Sequence, residues 1–102
     1  MTTITATLIS WQGAGAADVA TAEARFVALL SQAFGGLDKA AAARRAWIDA
    51  DIATGERPRS TWPGELRKVI DQWEHAYAKA REIALDGLPG KGHEPWFDVA
   101  EA

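Results

Sequence analysis

ITATLISW, residues 4–11, is the stretch on which the fold turns. It is rich in β-branched residues and alternates small or polar side chains with apolar ones, the period of a strand with one covered face. A strand needs a partner, and no other stretch reads as clearly as strand. Three readings stay open from the residues alone. The segment pairs with PWFDV, residues 95–99, in a two-stranded sheet laid on the helices. Alternatively it pairs between molecules, with a second copy or a foreign sheet edge. In the third reading residues 2–12 begin a helix that breaks at Gly13–Gly15.

Between these ends, periodicity predicts three helices. Residues 16–34 place Val19, Ala22, Phe26, Val27, Leu30, Ala33 and Phe34 at helical spacing, with Asp18 as N-cap and Gly35 and Gly36 as the stop. Residues 38–54 form the second, capped by Asp38 and ended by Gly55. Its apolar face is thin: Leu37, Ala41, Ile48 and Ile52, with Trp47 to one side. Alanine buries little area at about 25 cal/mol per Å², which sets this helix at the edge of a bundle.

The third helix runs from Thr61 to Leu85. Trp62, Leu66, Val69, Ile70, Trp73, Ala76, Tyr77, Ala80, Ile83 and Ala84 recur at steps of three and four. Ser60 or Thr61 caps it, Pro63 fits a first turn, and Gly87 and Pro89 end it. At about 1.5 Å per residue it is roughly 35–38 Å long. Two shorter helices do not cover that length, so the stripe from Tyr77 to Ala84 is expected to await another cover. The expected fold class is mainly α: a small three-helix bundle with a long helix in its C-terminal half, and a terminal strand pair among the open alternatives. A single domain is expected, with residues 1–15 strand-like or irregular, 16–87 the helical core and 88–102 an aromatic tail.

Composition narrows the function classes. The 102 residues are 48% hydrophobic and 25% charged, ordinary values for one globular domain. A net charge of -3 argues against a dedicated nucleic-acid binder, which shows a basic excess or face. With no cysteine, disulfides, thiol catalysis and thiolate metal sites are ruled out. No apolar run approaches the roughly 20 residues of a membrane span, and the start lacks a signal-peptide pattern. The expectation is a soluble, cytoplasmic protein with no membrane association; alanine, tryptophan and arginine usage suggests a GC-rich bacterial or phage genome.

Chemistry-bearing motifs are sparse. Asp71 and His75 share a helix face four residues apart, but a metal site needs three or four donors, and a surface pair is the simpler reading. Asp49 and Asp51, two apart on a helix, point about 200° from one another and do not form an acid–base pair. GLPGKGHE, residues 87–94, fails the phosphate-loop pattern because Lys91 is followed by Gly92 and no helix follows; it reads as a flexible hinge. No catalytic residue, cofactor or metal is expected.

Two features suggest contact surfaces. Arg44, Arg45, Arg57, Arg59, Arg67 and Lys68 bracket the connection between the second and third helices, where guanidiniums hold phosphate, nucleic acid or an acidic protein surface, or else form a solvated, salt-bridged face. Trp62, Pro63 and Gly64 at the start of the third helix are poor choices for reading base edges. Five tryptophans are many for this length, and tryptophan is enriched in binding hot spots. Trp73 belongs to the core, and Trp47 and Trp62 are placed to pack on each other. Trp11 and Trp96 lie in the two ends.

The expected function is that of a non-enzymatic protein–protein interaction module: an assembly factor, adaptor or inhibitor, encoded by a phage or other mobile element. Trp11, Tyr77, Trp96 and Phe97 are its expected protein-binding residues, the partner is another protein, and self-association as a homo-oligomer, a dimer in the simplest case, is expected. Two other readings stay open: a nucleic-acid-binding regulator using Arg44, Arg45, Arg57 and Arg59, and a small accessory subunit of a larger enzyme.

Overall fold

The computed structural model describes residues 3–101, and there the first strand finds its partner at the far end of the chain. β1 (Ile4–Gln12) runs antiparallel to β2 (Lys91–Glu101), with Ile4 opposite Glu101, Leu8 opposite Phe97 and Gln12 opposite Lys91. Between them lie α1 (Ala16–Phe34), α2 (Leu37–Thr54), a 3-10 turn at Arg59–Thr61 and α3 (Gly64–Leu85). Among the described residues the protein is mainly α with a small two-stranded antiparallel sheet. The helical alternative for residues 2–12 is overturned from Ile4 onward, residue 2 lying outside the described residues. Period 2 wins because Ile4 is buried with Phe97 and Val99 on the inner face, while Thr5, Thr7, Asp98 and Ala100 stand in solvent.

Each helix packs on the other two, and α1 also carries β1. α1 buries Ala22, Phe26 and Leu30, one residue per turn along a single face. It starts at Ala16 after Gly15, so Asp18 lies within its first turn rather than at the cap. Asp38 is displaced likewise, since α2 begins at Leu37 after Gly36. α1 ends as expected at Gly35, whose left-handed backbone (φ 87°) donates to the Ser31 carbonyl.

α2 departs from the expected face. It buries Ala40, Ala41, Ala50 and Thr54, whereas Leu37 and Ile52 are exposed, Ile52 by 74%. The small side chains win because the helix approaches its neighbours closely, and Thr54 satisfies its buried hydroxyl on the Ala50 and Asp51 carbonyls. α3 begins at Gly64, three residues later than Thr61, because residues 59–61 close a tighter turn instead. Its stripe from Tyr77 to Ala84 is not left over: Ala80 and Ala84 are buried, and Tyr77 is bonded to β2.

The segment read as a hinge is a tight crossing. Gly90 (φ 98°) lies against Gln12 and Gly13, and a Cβ placed on it would collide with the Gln12 carbonyl oxygen. Trp11 reinforces the crossing by donating its indole N–H to the Pro89 carbonyl at 2.8 Å. Beyond it the ladder slips: Ile9 faces Trp96 but Trp11 faces Gly92, so residues 93–95 bulge opposite Ser10. Ser10 (φ 64°) and Glu94 (φ 47°) both adopt the left-handed conformation there. No helix among the described residues is long and apolar enough to cross a membrane.

Candidate functional site

Aromatic rings tie the layers together. Trp73 of α3 lies between Phe34 of α1 and Trp47 of α2, stacked on each with centroids 5.9 and 5.7 Å away. Phe26 of α1 stacks on Phe97 of β2 at 4.3 Å and meets the edge of Tyr77 at 5.1 Å. Trp73 and Tyr77, one turn apart on α3, join the two groups at 6.3 Å. Trp47 therefore pairs with Trp73 and not with Trp62, which donates its indole N–H to the Arg57 carbonyl and lies under the Arg59 guanidinium.

Among the described residues the two strands form a ribbon with no further strand on either side, so their outer backbone groups need other partners. Leu8 and Phe97 face each other across the ladder, and both turn backbone groups outward. Leu8 N–H donates to the Glu23 carboxylate at 2.8 Å. On the other edge the Tyr77 hydroxyl accepts from Phe97 N–H and donates to the Phe97 carbonyl, both at 2.8 Å. One phenol thus closes a full backbone position of β2. The phenol is a polar handle on an apolar stripe, a feature legible in the sequence once the tail is known to be a strand.

Burial raises the Tyr77 pKa above its ordinary 10.0; the bond from Phe97 and the Arg81 guanidinium oppose that rise, and Asp98 adds to it. A raised folded-state pKa means a contribution to stability that is whole below the unfolded value, about pH 10, and lost as pH climbs through the folded value. Wild-type protein is expected to lose stability above about pH 10 more steeply than Tyr77→Phe, read as denaturation midpoints across an alkaline series. Tyr77 is the chain's one tyrosine, so tyrosinate absorbance follows this group alone. Equal alkaline slopes would show that the phenol plays no such part.

Beside this edge β2, α2 and α3 enclose a cleft of about 260 Å³. Trp47, Trp73, Tyr77 and Phe97 line it, Trp96 forms a wall while 44% exposed, and Arg44, Glu74 and Asp98 supply its charge. The Trp47 indole N–H is buried with no acceptor among the described residues. Three of the expected contact residues, Tyr77, Trp96 and Phe97, are thus brought to one place. Trp11 is not among them: it lies at the crossing beside Pro89. Trp47, Glu74 and Asp98 escape a sequence reading because three different elements bring them in.

The arginine cluster divides by partner. Arg44 and Arg45 turn to Glu101 at the end of β2, at 3.9 and 2.8 Å. Arg57 donates to the Ala53 and Thr54 carbonyls, and Arg59 pairs with Asp71 and, at 3.8 Å, with Glu74. Arg67 donates to the Arg59 carbonyl. Asp71 is thereby engaged by Arg59, and no group of three or more metal-ligating side chains occurs among the described residues. No family model matches the chain, and comparison with curated proteins and with solved structures finds no match.

Proposed function

We propose that the protein is a non-enzymatic protein–protein interaction module, an assembly factor, adaptor or inhibitor, and that the cleft beside β2 is its contact surface. The observation that carries this reading is the convergence of Tyr77, Trp96 and Phe97 on one cleft in which Trp96 stays 44% exposed. A large ring held half out of water beside charged groups has the composition of an interface hot spot. The unpaired Trp47 N–H beside it favours a peptide occupant, whose backbone carbonyls can accept from it. The nucleic-acid alternative draws less support, because Arg44, Arg45, Arg57 and Arg59 are each engaged within the chain.

Trp96→Ala is the direct test. Its ring lies on the solvent side of the ladder opposite Ile9, so its loss leaves the core intact. Tagged wild-type protein in extract of its host is expected to retain a partner, or a second copy by light scattering, with the variant binding about 30-fold more weakly, the scale of a 2 kcal/mol hot spot. Thermal denaturation of the variant should be near that of wild type. Equal retention by both proteins, or none by either, would sink the reading.

A further inference from the structure

We propose that the cleft receives an arginine side chain presented by a partner protein, its guanidinium held by Glu74 and Asp98 and laid against the aromatic wall. The inference rests on the reading of the cleft as a protein contact and specifies what enters it.

Size comes first. At about 260 Å³ the cleft falls below the roughly 300–1,000 Å³ of small-molecule sites, and it suits one long side chain rather than a cofactor. Chemistry comes second. Its lining combines Trp47, Trp73, Tyr77 and Trp96 with two carboxylates, Glu74 and Asp98. A guanidinium is planar and weakly hydrated, so it stacks on rings while forking onto carboxylates; an ammonium is a compact, strongly hydrated charge that gives up more water on entering.

The two carboxylates are engaged to different degrees. Asp98 has no hydrogen-bond or ion-pair partner among the described residues. Glu74 is approached at 3.8 Å by Arg59, whose guanidinium is already bonded to Asp71. Arg44 also lines the cleft, 3.9 Å from Glu101, and its one positive charge is outnumbered by the two carboxylates. The chain itself uses the recognition invoked here once in full, where Arg59 lies 5.2 Å over the Trp62 ring while bonded to Asp71, and its ring half again where Arg81 lies 5.9 Å over the Tyr77 ring.

The test uses isotope-labelled full-length protein and follows the indole N–H resonances of its five tryptophans by NMR. N-acetyl-arginine methylamide is the probe; N-acetyl-citrulline methylamide, the same shape without the charge, and the norleucine analogue are the comparisons. Arginine is expected to shift Trp47 and Trp96 saturably, with citrulline at least about tenfold weaker, as for loss of a charge-assisted pair. The Trp11 indole, bonded to Pro89 away from the cleft, should stay in place and report an intact fold. The double variant Glu74→Gln, Asp98→Asn changes two exposed side chains and should bring arginine down to the citrulline level.

Absence of any shift, equal shifts with arginine and citrulline, or arginine shifts that survive the double variant would each overturn the proposal. A response to norleucine matching that to arginine would mark a plain apolar contact: this inference falls, and the interaction reading stands. Equal partner retention by wild type and Trp96→Ala would instead bring down the interaction reading itself.

Discussion

Phe26→Ala is expected to lower the free energy of unfolding by about 3–5 kcal/mol, the range for truncating a buried phenylalanine. Phe26 is 0% exposed and stands at the junction of α1, α3 and β2, stacked on Phe97 and edge-on to Tyr77. Its removal loses apolar burial and both ring contacts, and it leaves a cavity between two helices and a strand. The backbone there is fixed by the Tyr77–Phe97 hydrogen bonds, which limits collapse into the hole. Domains of this size hold about 5–15 kcal/mol in total, so about a fifth or more of the stability is at stake. Urea denaturation should show a lower midpoint at unchanged slope. A loss under about 1 kcal/mol would mean that the ribbon is not anchored through this ring.

The second large effect is expected from a single methyl group. Gly90→Ala forces a side chain into a left-handed backbone (φ 98°) and into the Gln12 carbonyl, two costs of about 1–3 kcal/mol each. The Gln12 side of the clash is backbone, which does not rotate away. Gly64→Ala is the fitting control, because a Cβ there meets nothing within 4 Å and sits in the first turn of α3. That change should be neutral or stabilising by a few tenths of a kcal/mol. Denaturation midpoints of the two variants should therefore move apart; if both match wild type, the crossing of β1 and the residue 88–90 turn is soft and the hinge reading returns.

The periodic elements were legible and the close approaches were not. The β-branched, alternating residues of ITATLISW allow a strand, with a helix as the open alternative, and PWFDV offers the matching apolar pair, so the ribbon is among the readings the residues allow. α1 and α3 followed from large side chains at helical spacing, and Gly35 marked its turn. α2 misled because hydrophobicity predicts burial only when packing distance is set by large side chains. Here Ala40 and Ala41 are fully covered while Ile52 faces water. Gly90 misled for a related reason: a glycine that permits motion and one that permits contact look alike until the opposing backbone is placed. The cleft was half legible, since Tyr77, Trp96 and Phe97 were expected contacts, whereas Trp47, Glu74 and Asp98 join them only through tertiary packing.

Because Ile4 lies opposite Glu101, the outer ends of β1 and β2 leave the molecule side by side. A tension applied between them would therefore peel the rungs apart one after another, starting at Ile4, rather than load the whole ladder at once. The ribbon that gathers the aromatic rings would yield first to a pull on its ends, with Tyr77 and the Gly90 crossing as successive catches.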